Sequence, residues 1–259
     1  MIKFFRRIRQ NLLSEGKTGK YLKYAIGEIV LVVIGILIAL SINNWNQERS
    51  QRNEEKIILS TLKADFESAI KELNLLNIDR ERIQSGAIAF NELEQKDLVN
   101  HSIKHLDSLM FMTMNAPTFN NQSGSLNVLL TSGKINLISN QDLKEKLIQW
   151  PGDVEDMAED EINHSRYYLE EYIPIVGNHV SWNGVFKQMS YISNRFNTNP
   201  MTNLKANPNM ASDYKSLIAD RAFLNALYLR TVFCQISTEE TNELIEKARD
   251  IIDLIENNS

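Results

Sequence analysis

The chain has 259 residues, of which 43% are hydrophobic and 24% charged, with only ten glycines and five prolines. This composition is typical of an ordered globular domain rather than a disordered chain, and the length is sufficient to bury a core. A single cysteine, Cys234, excludes an intramolecular disulfide. We expect Cys234 to be a small buried apolar residue, and the alternative is a disulfide-linked dimer.

Charge is distributed unevenly along the chain. Residues 1–23 contain seven Lys and Arg residues against one Glu, whereas the whole chain has a formal net charge of −5. The apolar residues of segment 1–13 fall on one helical face, so residues 1–23 are interpreted as a basic amphipathic segment. Such a segment binds anionic lipid headgroups at a membrane surface. We expect no nucleic-acid partner, because the segment is too short to fold and the apolar run beside it explains its charge.

An apolar run follows at residues 24–45, YAIGEIVLVVIGILIALSINNW, without proline and without charge from Ile29 to Leu40. At about 1.5 Å per residue a helix of this length reaches roughly 33 Å, enough to cross a hydrocarbon core of about 30 Å. The run therefore predicts a transmembrane helix. A cleaved signal peptide is the alternative, because Ala39-Leu40-Ser41 resembles a cleavage site. The charged and apolar regions are both longer than those of signal peptides, which favours an uncleaved signal anchor.

The flanks of the predicted span indicate its orientation. Lys and Arg residues close to a span are retained on the cytoplasmic side, so the N-terminus is predicted inside and residues 46–259 outside. Tyr21 and Tyr24 on one side of the span and Trp45 on the other are typical of interfacial anchors. The lipid bilayer is therefore the first predicted partner.

Three residues of the span are candidates for helix packing. Glu28, Gly35 and Ala39 share one helical face, and Gly35 and Ala39 form a small-xxx-small pair that allows two helices to approach closely. This pattern favours self-association into a homo-oligomer or docking against another membrane protein. The alternative is that Glu28 lies near the cytoplasmic headgroups and pairs with Lys20, with Lys23 or with a lipid amine.

Helical periodicity continues after the span. The first predicted helix runs from Trp45 to about Leu98, and an interruption at Gly86 is the alternative. Further helices are predicted to begin at Asp97 or Ser102, at Asn120 and after an N-cap at Ser139 or Asn140, and Gly133 is predicted to stop the helix that begins at Asn120.

The second half of the chain is also predicted to be helical. We expect Pro151-Gly152 to break or kink the chain, and Asp153 to cap a new helix that reaches Tyr172. Residues 174–212 are predicted to form loops and short helices, and residues 220–256 a long closing helix. The predicted fold is all-α, with one N-terminal transmembrane helix that continues into an antiparallel helical bundle.

Motifs of catalysis and cofactor binding are absent from the sequence, so we expect no cofactor and no catalytic residue. His101 and His105, at i and i+4, are weak metal-ligand candidates, although solvated histidines are the favoured interpretation. The acidic run from Asp153 to Glu161 is interpreted as the first turns of a helix. An aromatic group is interpreted as core, with an apolar pocket as the alternative. It comprises Trp150, Tyr167, Tyr168, Tyr172 and Trp182.

Three segments of the chain resemble a known family. They are KFFRRIRQNLLSEGKTGKYLKYAIGEIVLVVIGILIALSINNWNQER at residues 3–49, SGKINLI at residues 132–138 and LIQWPGDVEDM at residues 147–157. The chain resembles an uncharacterised domain-of-unknown-function family of membrane proteins from Bacteroidota. The resemblance implies a single-pass inner-membrane protein with a helical periplasmic domain, and it implies no catalytic residue.

These observations favour a protein that is not an enzyme. We expect a periplasmic domain that binds an unknown membrane or periplasmic protein or another ligand. The alternatives are an accessory subunit of a transport or secretion complex and an envelope enzyme built from scattered carboxylates and histidines.

Overall fold

The computed structural model describes residues 18–120, 124–187, 207 and 210–257, and within them it contains helices and no strand. The predicted all-α class is confirmed. The α-helices are α1 (Thr18–Asn91), α2 (Ile103–Met112), α3 (Gly124–Thr131), α4 (Gln141–Tyr167), α5 (Ile173–Gly177), α6 (Trp182–Phe186), α7 (Tyr214–Leu217) and α8 (Arg221–Glu256). Short 3₁₀ turns cover Asp97–Asn100 and Lys134–Leu137, and a π-helix at Tyr168–Tyr172 joins α4 to α5.

The chain divides into two compact units, residues 1–58 and 59–259, and α1 contributes to both. The helix predicted at residues 24–45 is confirmed as part of α1. By length and composition this helix is capable of crossing a membrane. Most of the basic segment predicted at residues 1–23 lies outside the described residues, as do the side chains of Tyr21 and Tyr24.

The predicted helix is continuous through Gly86, so the alternative of an interruption there is wrong, and the helix ends at Asn91 rather than near Leu98. A Cβ atom at position 86 would lie 2.9 Å from the Cβ of Met112 and 3.2 Å from the carbonyl oxygen of Leu109. The missing side chain therefore allows α2 to pack directly against the backbone of α1. Gly86 is a packing residue, and its sequence signal was that of a helix breaker.

The predicted helix cap at Asn140 is present, and the structure adds caps at Ser102 and Asp220. The side chain of Ser102 accepts a hydrogen bond from the His105 amide, and Asn140 accepts one from the Leu143 amide. Asp220 caps α8 by accepting from the Ala222 amide. Gly133 has a φ of 72° just after α3, which is the left-handed conformation that a glycine stop requires.

Of the break or kink predicted at Pro151-Gly152, the break is wrong, because α4 runs through both residues, and the kink stays a prediction. A proline inside a helix removes one backbone hydrogen bond, which costs about 3 kcal/mol. Burial of the neighbouring Trp150 opposes this cost, since its side chain is 1% exposed and packs edge-on against Phe66 with ring centroids 4.8 Å apart. Consequently Asp153 is not a cap, and the acidic run lies in the middle of α4 rather than in its first turns.

The long helices of the second unit form a bundle whose directions follow from their side-chain pairs. Helix α8 forms side-chain pairs with α1 and with α4. In each set of pairs, the residue numbers of α8 fall as those of the other helix rise, so α8 is antiparallel to both helices. The pairs with α1 are Lys63–Glu256 and Asn77–Asn242, and those with α4 are Lys146–Asp250 and Asp153–Lys247. Helices α1 and α4 run parallel to each other, as the pairs Phe66–Trp150 and Arg80–Glu161 show.

A second cluster of buried side chains lies where the short helices pack. Phe90, Tyr172, Tyr214 and Phe223 form its aromatic centre, and all four are buried. Segment 174–212 contributes short helices within its described part, as predicted. Cys234 is fully buried, and burial raises the pKa of its thiol to about 11, which confirms the prediction of a buried apolar residue.

Candidate functional site

The first candidate surface is the apolar part of α1 within the first unit. Every residue from 29 to 40 is exposed, and the large side chains among them are 46–68% exposed. Exposed apolar stretches of this size are uncommon on soluble proteins, where they mark contacts with a membrane or another protein. Contact of this surface with lipid or with another protein would remove its apolar side chains from water.

The helix-packing candidates lie on this surface. A Cβ atom at Gly35 would have nothing within 4 Å, and Ala39 is exposed. Glu28 is half-buried and lines a shallow groove with Ala25 and Val32. The backbone at Gly35 is therefore accessible to a second helix.

Trp45 lies just beyond the apolar surface and is 62% exposed. The Arg49 guanidinium lies 5.9 Å from the centre of its ring. Both side chains line a groove on α1 together with Glu48, Gln51 and Arg52. Arg52 forms an ion pair with Glu55, because its Nη1 lies 2.7 Å from Glu55 Oε2.

A buried ion pair lies at the centre of the second unit. The Nη2 of Arg80 donates to Glu161 Oε1, and its Nη1 donates to the Ser237 carbonyl at 2.9 Å and to Thr241 Oγ1 at 2.5 Å. The second carboxylate oxygen of Glu161 accepts from the Phe119 amide at 2.7 Å. Burial raises the pKa of Glu161, whereas the Phe119 amide and the Arg80 guanidinium oppose that rise. These bonds connect α1, α4, α8 and the segment before α3.

Arg230 is fully buried on α8, about two turns before Ser237. Its guanidinium lies 4.4 Å from the ring centre of Tyr168 and 4.5 Å from that of Tyr172, and its Nη2 donates to the Asn115 carbonyl at 2.5 Å. The Tyr172 hydroxyl lies 2.7 Å from Thr113 Oγ1, and burial raises the pKa of Tyr172 to about 12. The tyrosines that were interpreted as core thus surround a cation.

His164 is another buried titratable group of this centre. Its ring is stacked on Phe233 with centroids 5.4 Å apart. Burial, together with the positive charges of Arg230 and Arg80, lowers the pKa of His164 to about 3. The imidazole is therefore neutral at ordinary pH.

The sequence interpretation missed this centre, although a signal for it exists. Arg230 lies three residues after Leu227 and four before Cys234, so it interrupts an apolar helical stripe. A cation within such a stripe is buried with the stripe, and it requires polar or aromatic partners. The partners themselves come from distant segments and have no sequence signal.

A Ser–His–Asp arrangement lies in the second unit. The Nδ1 of His179 lies 2.6 Å from Ser216 Oγ, and its Nε2 lies 3.0 Å from Asp220 Oδ2. The Asp213 amide donates to the His179 carbonyl at 2.7 Å. The Ala222 amide and His179 lower the pKa of Asp220. These bonds connect the segment after α5 to α7 and to the start of α8.

His101 and His105, the weak metal-ligand candidates, have stacked rings with centroids 5.0 Å apart. Among the described residues, no group of three or more His, Cys, Asp or Glu side chains is placed to hold a metal ion. The pair therefore has no third ligand from the part of the chain that the structure describes.

Comparison with known proteins gives one result. The model of a family of unknown function, DUF6090, matches residues 28–150, just under half of the chain. The matched region begins in the apolar part of α1 and ends at Trp150 in α4. The resemblance to a domain-of-unknown-function family is thus confirmed over these residues. No curated protein and no solved structure matches the chain.

Proposed function

We propose that the chain is a single-pass inner-membrane protein whose periplasmic domain binds a partner protein. The exposed apolar stretch of α1 is the observation that carries this proposal, because lipid is the surrounding that satisfies an unbroken apolar helix surface. The excess of Lys and Arg in residues 1–23 supports a cytoplasmic N-terminus. The same residues supply the contact with anionic lipid headgroups.

Fractionation of cells that express the full chain tests the membrane part of the proposal. We expect the chain to stay in the membrane pellet after alkaline carbonate extraction, because a spanning helix is held by its buried apolar surface. Protease added to spheroplasts is expected to digest residues 46–259. Release by carbonate contradicts the anchor, and full protection in spheroplasts contradicts the orientation.

We propose no catalytic activity for the chain. His179, Ser216 and Asp220 have the residue types of a nucleophilic triad. Asp220 is also the N-cap of α8, and Ser216 Oγ lies 3.3 Å from the Asp213 carbonyl. Both side chains therefore form hydrogen bonds that stabilise the local backbone. Their arrangement supports a structural role, in which hydrogen bonds connect the segment after α5 to α7 and to the start of α8. Covalent labelling of Ser216 by a fluorophosphonate probe would overturn this part.

A second candidate function is an accessory subunit of a membrane transport or secretion complex. The open backbone at Gly35, with Ala39 one turn away, favours it, because small residues allow a helix of another protein to approach closely. The same face is suited to a second copy of this chain. In both cases the partner is recognised within the membrane.

Affinity purification of the full chain in mild detergent tests this interface. We expect Gly35→Leu to reduce recovery of the co-purifying protein at least tenfold, because the added side chain separates the two helices. Glu28→Gln is expected to reduce recovery less. Val30→Leu, which adds one methylene group on another face of the helix, is the matched control. Equal recovery with all three variants contradicts the interface.

A further inference from the structure

The end of the apolar part of α1 carries two opposite charges beside an aromatic ring. Trp45 lies about 4.5 Å along the helix axis beyond Ile42, the last large aliphatic residue, at 1.5 Å per residue. The headgroup layer of a bilayer is about 5–7 Å thick on each side. The Trp45 ring therefore lies at headgroup depth when the apolar run spans the hydrocarbon core.

Arg49 is brought to the same depth by its side-chain direction. Its Cα lies about 6 Å further along the axis than that of Trp45, but helical side chains lean toward the helix N-terminus. The guanidinium consequently lies over the Trp45 ring, 5.9 Å from its centre. This cation–π contact holds the charge in the layer where lipid phosphates lie.

The charges of this groove are matched to a headgroup that has both signs. Among the described residues, no ion pair is formed by Arg49 or by Glu48, whereas Arg52 is paired with Glu55. Arg49 and Glu48 are neighbours in sequence, with Cα atoms about 3.8 Å apart. The groove thus offers five guanidinium N–H donors for a phosphate and, beside them, a carboxylate for an ammonium group.

We propose that this groove, lined by Trp45, Glu48 and Arg49, binds the headgroup of an aminophospholipid, phosphatidylethanolamine. Arg49 donates to the phosphate, Glu48 accepts from the primary ammonium group, and Trp45 packs against the glycerol region. The ammonium of phosphatidylethanolamine has N–H donors for Glu48, whereas phosphatidylcholine has none. Phosphatidylglycerol has no cation to offset Glu48. The site rests on the proposed membrane anchor and adds a lipid preference to it.

Native mass spectrometry of the full chain in detergent tests the site. The chain is mixed in separate samples with phosphatidylethanolamine, phosphatidylglycerol and phosphatidylcholine of identical acyl chains, and the lipid-bound fraction is measured. We expect phosphatidylethanolamine to be retained about two- to fivefold better than the other two, the range that exposed charge pairs supply. Arg49→Gln is expected to lower retention of all three lipids. Glu48→Gln is expected to abolish only the preference for phosphatidylethanolamine.

Gln47→Glu is the matched control, because it changes the net charge by the same amount as Arg49→Gln and lies on the opposite face of the helix. It is expected to leave both retention and preference unchanged. Equal retention of the three lipids by the unaltered chain overturns the proposal, and so does a loss with Gln47→Glu equal to that with Arg49→Gln. Carbonate extraction reports on the anchor separately, so failure of the anchor and failure of the lipid site are distinguishable.

Discussion

Glu161→Gln is expected to lower the free energy of unfolding by about 3–5 kcal/mol, the range for breaking a buried ion pair by removing one partner. Arg80 and Glu161 are both almost fully buried, so the change leaves a guanidinium in the core without its counter-charge. The Phe119 amide also loses a charged acceptor. Urea unfolding of the full chain in detergent, followed by tryptophan fluorescence, measures the loss.

Two comparisons make this result specific to the buried pair. Glu246→Gln removes the same charge from an exposed pair with Arg249, and a change within about 1 kcal/mol is expected there. The double variant Arg80→Met with Glu161→Leu is expected to recover most of the loss, because it leaves no buried charge unpaired. Equal losses for Glu161→Gln and Glu246→Gln would contradict a central role for the pair.

Acidification is expected to destabilise the second unit through His164. Its pKa is about 3 in the folded chain and 6.5 as the reference value for the unfolded chain. Because the folded pKa is the lower one, the contribution of His164 is fully present above pH 6.5. It is lost progressively as the pH falls from 6.5 toward 3. At pH 4 the loss amounts to about 3 kcal/mol, since each pKa unit corresponds to about 1.4 kcal/mol.

His164→Gln removes this titration, so its unfolding free energy is expected to fall less steeply than that of the unaltered chain. Denaturant unfolding at pH 7, 5 and 4 measures the difference between the two slopes. Acidic groups common to both chains cancel in this difference. His105→Gln, which removes an exposed imidazole, is expected to keep the full slope. An unchanged slope for His164→Gln would show that its ring is not held neutral by burial.

Local signals predicted most of the helices. The cap at Asn140 and the stop at Gly133 depend on a few neighbouring residues, so the sequence was sufficient to find them. Gly86 also has a local signal, which indicates an interruption of the helix, whereas α1 is continuous there. A glycine that breaks an isolated helix here provides the space in which another helix packs.

Pro151 illustrates the same limit. Its local effect is to remove a backbone hydrogen bond, and the sequence alone therefore predicted a break or a kink. Trp150 buries its ring against Phe66, which lies 84 positions earlier in the chain, and this packing favours a continuous α4. A contact between residues far apart in sequence is not contained in any single segment, so a local signal does not reveal it.

By itself the sequence determined that the chain is all-α, that residues 24–45 lie in an apolar helix, and that residues 1–23 contain an excess of Lys and Arg over acidic residues. Periodicity, hydropathy and charge are sums over neighbouring residues, so no fold is needed to evaluate them. Only the tertiary structure decided that Arg80 meets Glu161, 81 positions away, and that Arg230 lies between two tyrosines. Those contacts depend on how the helices pack, and burial then changes the energetics of each charged group.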